Sequence, residues 1–360
     1  MTISSIDSIS QLTQNIVDLV QQSKHKIFQQ VNSTMLETYY EIGRLIVENE
    51  QQGQIRAQYG KKILQELSNR LNQQFGKGFS VDNLGNMRKL YLTYSVGAIS
   101  ETVSRKLEDK NSQPTNATQK SETVSRIFPK RFSLSWSHYV FLMHIDNELE
   151  RNFYEIEAIN QNWSLRELKR QFNAALFERL ALSKNKAELI QLSQQGQIIE
   201  KPEDIVKDPL ILEFLGLPEQ ATYSETELEQ QIINKLQLFL LELGKGYTFV
   251  GRQVRLTFDE KHFFVDLVFF NRILQCFVLI DLKIGEITHQ DLGQMQMYVN
   301  YYDRKIKLDN ENSTVGMVLC KKKNDTLVEL TLPESNTQIF ASKYQTVLPD
   351  KEDFARLLEK

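Results

Sequence analysis

Two acids and a lysine, Asp266, Asp281 and Lys283, stand inside the otherwise apolar stretch FFVDLVFFNRILQCFVLIDLKIGE, residues 263–286. The stretch reads as two β-strands dense in Val, Ile, Leu and Phe, joined near Asn271 and Arg272. Side chains alternate between the faces of a strand, so Asp281 and Lys283 point the same way and Leu282 the other. An ionised carboxylate in so apolar a strand is costly unless a cation or a strong donor compensates it. Two acids with a lysine on neighbouring strands point to a bound divalent metal. Register decides whether the acids meet. A two-residue turn at Asn271-Arg272 would set Asp266 opposite Phe277. A four-residue loop, Arg272 to Gln275, sets it opposite Asp281, with Cβ atoms about 5 Å apart. Asn271-Arg272 lacks the Asn-Gly or Asp-Gly signature of the tighter turn, so the longer loop is expected. Carboxylates that close repel each other, and a shared metal turns the repulsion into coordination.

Other elements must hold this hairpin in place. Ser224 opens a helix through SETELEQQIINKLQLFLLELGKG, with Glu227 at the capping-box position and Gly244 or Gly246 at its end. Its apolar stripe, Ile232, Ile233, Leu236, Leu240 and Leu243, shares a face with Glu229. A carboxylate aimed into a core calls for a partner, either the metal site or a salt bridge to Arg252 or Lys283. YTFVGRQVRLTF is a strand with Arg252 and Gln253 midway, in reach of substrate phosphate or of groups around the metal. After Lys283, THQDLGQMQMYVNYYDR is a helix capped by Thr288, with Gln294 and Tyr298 on one face at i and i+4. Those two either orient water, metal-bound groups or phosphate, or are simply exposed and packed respectively. STVGMVLCKKKN adds a buried strand ending in the basic run Lys321, Lys322 and Lys323, before a final strand and helix.

The hairpin resembles the catalytic core of the PD-(D/E)XK nuclease superfamily, with Asp266 as first acid and Asp281-Leu282-Lys283 as the (D/E)-x-K element. Gln294 and Tyr298 fit the Q-x-x-x-Y element of its RecB-type members. The resemblance implies that the two acids and the main-chain carbonyl of Leu282 hold Mg²⁺, with Mn²⁺ able to substitute, and that Glu229 approaches the same metal. It implies that Lys283 positions the attacking water and offsets phosphate charge. Asp281 stands where glutamate is commoner, which shortens the reach by one methylene.

The whole chain bounds the rest. Its 360 residues suffice for two or three domains. With 41% hydrophobic and 25% charged residues the composition is globular. A formal net charge of −3 means that any nucleic-acid surface is a local patch. Cys276 and Cys320 lie in apolar runs without a C-x-x-C, as expected of core thiols in a reducing cytoplasm. No signal peptide or membrane-spanning run is found, and a cytoplasmic protein with no membrane partner is expected. There is no P-loop, dinucleotide loop or nucleophile elbow, which ranks ATPase, methyltransferase and serine-hydrolase chemistry last.

Residues 1–98 read as helices, over Ile9–Val31, Met35–Asn49, YGKKILQELSNRLNQQFGKGF and SVDNLGNMRKLYLTY. The last two, joined at Gly76-Lys77-Gly78 with Ser80 as N-cap, match a helix-turn-helix outline. Asn83, Asn86, Arg88 and Lys89 would then face DNA, and Lys61, Lys62, Arg70 and Lys77 could meet phosphates. The alternative is a helical hairpin with a solvated charged face. IGRLIVENE, YGKKILQELSNRL and GFSVDNLGNMRKLY resemble the N-terminal domain of the YhcG family, bacterial proteins that pair a helical domain, thought to bind DNA, with a PD-(D/E)XK domain. SETVSR occurs at 100–105 and 121–126 around a polar tract, so 99–131 is expected to be a flexible loop whose basic residues (Arg105, Lys106, Lys110, Lys120, Arg126, Lys130, Arg131) could touch phosphate. Further on, Trp136, His138, Tyr139 and Phe141 are more simply core than base-stacking residues. Ser164 caps a helix LRELKRQFNAALFERL, with Glu167 completing a capping box. Arg166, Lys169 and Arg170 are candidate phosphate contacts.

The expected fold is thus α+β. An all-α domain (1–183) leads through a proline-rich connector (184–223) to a restriction-endonuclease-like α/β domain (224–360) with a mixed central sheet flanked by helices. The expected function is a metal-dependent nuclease acting on DNA, endo or exo. Its rival is a catalytically inactive DNA-binding or complex-forming protein that keeps the fold. Nothing in the sequence decides whether the chain forms a homo-oligomer.

Overall fold

Asn271 closes the hairpin that the rest of the C-terminal fold is built on. In the computed structural model, which describes residues 3–52, 57–108, 132–182, 184–220, 222–258, 260–352 and 354, Asn271 pairs with Cys276 and leaves Arg272–Gln275 as the loop. Asn271 Oδ1 accepts from the main-chain nitrogens of Ile273 and Leu274 at 3.0 and 3.1 Å, and Gln275 takes φ +50°. An Asx-type turn does here what Asn-Gly does in a tighter hairpin. The strands it joins are β3 (Lys261–Asn271) and β4 (Cys276–Glu286).

A six-stranded sheet surrounds them in the order β1-β6-β5-β4-β3-β2. β2 (Tyr247–Phe258) pairs antiparallel with β3. β5 (Val315–Lys322), β6 (Ile339–Gln345) and β1 (Leu210–Ile211) continue from β4 in parallel. The sheet is therefore mixed, as expected. A parallel step needs a crossover, supplied after β4 by the helix His289–Lys305 and after β5 by the helix Asp325–Thr331. After the last strand, residues 351, 352 and 354 are helical, which is the expected final strand and helix; residues 353 and 355–360 lie outside those described. β1 comes from within 184–223, so this segment also contributes an edge strand.

Alternation on β4 sorts its side chains. Val278, Ile280 and Leu282 enter one core with Leu228, Ile232 and Phe239. Leu279 enters the other with Met295 and Tyr298. Asp281 and Lys283 share Leu279's parity and stand at the polar end of that second face.

Taken in chain order, the helices are α1 (Ile3–Gln52), α2 (Ala57–Phe75), α3 (Val81–Glu108), α4 (Trp136–Leu142), α5 (Glu148–Asn160), α6 (Leu165–Asn173), α7 (Leu176–Ala181), α8 (Lys186–Gln195), α9 (Glu225–Asn234), α10 (Leu236–Leu243), α11 (His289–Lys305) and α12 (Asp325–Thr331). By internal contacts the chain divides into two compact units, Met1–Arg151 and Asn152–Lys360. In the first, α1 is one continuous helix rather than two. Its expected break lacks a cap, because Ser33 Oγ reaches Glu37 and Thr38 Oγ1 donates to the Thr34 carbonyl inside the helix. Ile16, Leu19, Val20, Ile27 and Val31 are exposed on it, whereas Leu36, Ile46 and Val47 are buried. Gly43 lets α1 and α3 cross closely, since a Cβ there would lie 2.0 Å from the Met87 carbonyl oxygen. α3 runs on through the first SETVSR, so residues 99–108 are helical; 109–131, with the second copy, lie outside the described residues.

Two further helices break where an unbroken one was expected. Ala175, at φ +51°, separates α6 from α7, and Lys235, at φ −117°, separates α9 from α10. Ser164 caps α6 through the Glu167 main-chain nitrogen. The Glu167 carboxylate turns instead to Gln171 and Arg170. Arg170, proposed as a phosphate contact, is instead nearly buried and bonds Glu213 and Glu242. Glu242 is fully buried and also accepts from Arg179 Nη1 at 2.7 Å. Breaking such a pair by removing one partner costs about 3–5 kcal/mol, since it strands a buried charge.

Candidate active site

Asp266 lies one step beyond the last ladder pair of the hairpin, Leu267 with Ile280, and so across from Asp281. Its Oδ2 accepts from the Leu282 main-chain nitrogen at 2.8 Å. Its Oδ1 accepts from Gln253 Nε2 at 2.9 Å. Asp281 is 3% exposed, and its Oδ2 lies 2.9 Å from Lys283 Nζ. That is an ion-pair distance at an off-axis angle, and Asp281 Oδ2 has no directed hydrogen bond. Burial, then the neighbouring Asp266 charge, push the Asp281 carboxyl well above the usual carboxylate range, against the pull of Lys283. Burial lowers the Lys283 amine, but the negative charges of Asp281, Glu225 and Asp266 outweigh it and hold that amine above its ordinary value. Two further acids stand near Lys283 Nζ, Glu225 at 3.8 Å and Asp291 at 4.0 Å. Asp291 is fixed there as the acid of the Thr288 capping box.

The remaining candidates take different places. Glu229 is buried on α9, where its Oε2 accepts from Gln253 Nε2 at 2.6 Å. Arg252 Nε stays 3.9 Å from Glu229 Oε1, while its Nη1 bonds Gln230 Oε1 at 3.0 Å. Of the partners weighed for Glu229, then, neither lysine nor arginine is the close one. Tyr298 is buried, and its hydroxyl donates to the Phe264 carbonyl of β3 at 2.9 Å while accepting from Gln294. These two residues brace β3 two positions before Asp266, and the Tyr298 hydroxyl lies close enough to Asp281, Asp266 and Lys283 to feel their charges. Of the two places expected for Gln253, at substrate phosphate or among the groups around the metal, its amide takes the second, bridging Asp266 and Glu229. Position 253 falls opposite 266 in the β2–β3 ladder.

In the N-terminal unit, several residues expected to face DNA or to meet phosphate make contacts within the fold. Arg88 Nε bonds Glu50 Oε2 at 2.7 Å. Asn83 Oδ1 accepts from Trp136 Nε1 at 3.0 Å, and Arg70 pairs with Glu66. Lys89 is half-buried on α3; Lys62 and Lys77 are exposed. Trp136 stacks edge-on with Tyr39, a packing role. The side chains of Lys61, Arg105 and Lys106, and all of Lys110, Lys120, Arg126, Lys130 and Arg131, lie outside the described residues. Cys276 and Cys320 are buried and unpaired thiols. Among the described residues no helix is long and apolar enough to cross a membrane.

A donor set of two carboxylates and a strand carbonyl suits a hard cation that keeps much of its water. Among the described residues no group of three or more His, Cys, Asp or Glu side chains is arranged to hold a metal. Asp266, Asp281 and the Leu282 carbonyl would suit such an ion; Asp281 Oδ2 there is ion-paired with Lys283 but without a directed hydrogen bond, and Glu229 is joined to Asp266 through the Gln253 amide.

A mixed sheet whose central hairpin carries this acid, acid and lysine is the architecture of a restriction-endonuclease-like PD-(D/E)XK domain. Residues 203–359 match the YhcG PDDEXK nuclease domain, and residues 15–179 match the DUF1016 N-terminal domain. Over 347 residues the chain is 38% identical to the Escherichia coli (strain K12) protein named "Putative nuclease YhcG", covering 96% of this chain and 92% of the relative. The chain belongs to the YhcG family of PDDEXK nuclease-domain proteins. Among solved structures it is similar to a repair endonuclease from Pyrococcus abyssi, at 14% identity and a TM-score of 0.24, over 37% of this chain and 50% of that one. It is also similar to the EndoMS–dsDNA2 complex, at 14% identity and a TM-score of 0.25, over 35% and 46%.

Proposed function

We propose that this chain is a divalent-metal-dependent nuclease that hydrolyses phosphodiester bonds in DNA, with Mg²⁺ as the metal and Mn²⁺ as a substitute. The observation that carries the reading is Asp281 Oδ2, a buried carboxylate oxygen without a directed hydrogen bond, beside Asp266 and an ion-paired Lys283. Asp266, Asp281 and the Leu282 carbonyl would hold the ion. When bound, such an ion acidifies a coordinated water and polarises a phosphoryl oxygen. Lys283 supplies a fixed positive charge where negative charge develops on the phosphate, and orients the attacking water. Arg252, exposed at the rim, meets a neighbouring phosphate. In the N-terminal unit, Lys62, Lys77 and Lys89 are among the described residues available to contact DNA backbone.

The test uses the purified full chain with Mg²⁺ or Mn²⁺ on plasmid, linear and branched DNA and on RNA. DNA cleavage by the wild type that is lost in Lys283→Ala is expected. No cleavage of any substrate, or equal cleavage by Lys283→Ala, would overturn the reading.

A further inference from the structure

Gln253 has a backbone that does not belong in a strand. Its φ is +47°, in the left-handed region that residues bearing a Cβ adopt uncommonly and that clusters at functional sites. The β2–β3 ladder has already shifted register between Phe249 and Gly251, and its pairs at Arg252–Leu267 and Val254–Val265 leave Gln253 across from Asp266. From there a single amide nitrogen serves two carboxylates, Glu229 Oε2 at 2.6 Å and Asp266 Oδ1 at 2.9 Å.

An amide NH₂ carries two donor protons, one for each carboxylate, and so does between two anions what a bridging cation would otherwise do. Among the described residues the cation paired with Glu229 is Arg252, whose Nε is 3.9 Å from it. Lys283, the other cation weighed for it, ion-pairs with Asp281, Glu225 and Asp291. The site is thereby divided. On one side of Asp266 lie Asp281, its Oδ2 ion-paired with Lys283 but without a directed hydrogen bond, and the peptide of Leu282. On the other side lies Glu229, already satisfied.

We propose that this site takes one divalent cation, on Asp266, Asp281 and the Leu282 carbonyl, and that Gln253 is a positioning residue whose amide fills the place of a second cation between Glu229 and Asp266. The inference rests on the metal-dependent reading above. It differs from a two-metal arrangement, in which paired ions stabilise both attacking and leaving oxygens. Here the second positive group beside the phosphate is Lys283.

The experiment counts Mn²⁺ on the full chain by calorimetry and looks for spin coupling by electron paramagnetic resonance, with thermal unfolding to verify each variant. The wild type is expected to bind one Mn²⁺ with an uncoupled spectrum. Gln253→Glu, equal in size, sets a third carboxylate beside Glu229 and Asp266 and is expected to bind two, spin-coupled. Gln253→Ala, which removes the bridge without adding charge, is expected to admit a second, weaker Mn²⁺. Two ions on the wild type, or one ion on both folded variants, would overturn the inference and leave metal-dependent cleavage standing. No Mn²⁺ on the wild type would remove the metal-dependent reading and the inference together.

Discussion

Asp266 Oδ2 accepts the Leu282 main-chain N–H at 2.8 Å, the point at which β3 and β4 stop pairing through their backbones. The last backbone pair is Leu267 with Ile280, and one residue further the side chain of β3 takes over as acceptor for β4. The first acid is thereby tied to the peptide that follows the second.

The two functions of Asp266 separate by substitution. Asp266→Asn keeps an acceptor for Leu282 and should fold normally while losing measurable Mn²⁺ binding. Asp266→Ala also strands a part-buried N–H and should lose a further 1–3 kcal/mol or so. Urea unfolding beside Mn²⁺ titration reads both effects, and equal stability of the two variants would contradict this role for the carboxylate.

Lys283→Met retains the bulk of the side chain and removes its charge. Under the proposed reading, turnover should fall by about 10²–10³-fold, as when one donor to a developing charge is removed. Binding of DNA in Ca²⁺ should change by only a few-fold. A variant that cleaves at the wild-type rate would separate this lysine from the chemistry.

Tyr298 and Gln294 act through β3. Tyr298→Phe deletes the bond to the Phe264 carbonyl without opening a cavity. It should cost about 1 kcal/mol of stability and lower the cleavage rate less than any change at Asp266, Asp281 or Lys283. A loss as large as that of Lys283→Met would place the hydroxyl at the reacting phosphate instead.

The hairpin register was legible because two runs of alternating residues and a loop without tight-turn chemistry admit few pairings, and the caps at Ser224 and Thr288 because capping boxes are local. What escaped reading was decided by tertiary structure. Ala174-Ala175 is about as strong a helix signal as sequence offers, yet Ala175 turns left-handed and ends α6. Arg170 looked like a surface cation, and only the fold reveals that Glu213 and Glu242 converge on it. Gln253 is similar in kind: no pattern of residue types announces a left-handed backbone in a strand.

Buried charge in the second unit should leave a signature in the pH dependence of stability. Lys207 is 4% exposed and donates to the Glu242 carbonyl at 2.5 Å. Burial pushes its amine down to about 8 from an ordinary 10.5; Glu242 opposes the fall, and Arg179 and Arg170 add to it. Below pH 8 both folded and unfolded chains hold this proton, so the penalty of burying the ammonium is present in full. Between pH 8 and 10.5 the unfolded chain holds a proton that the folded chain has released, so stability rises with pH. The limit of that rise is about 3 kcal/mol. Lys207→Met lacks the titration, so the wild type should gain on the variant by up to this amount from pH 7.5 to 10.5, measured by urea unfolding at each pH. Subtracting the variant removes the opposite trend from Cys276, whose thiol burial raises to about 11. A wild-type minus variant difference that stays flat or falls across this range would mean that Lys207 keeps its proton in the folded chain.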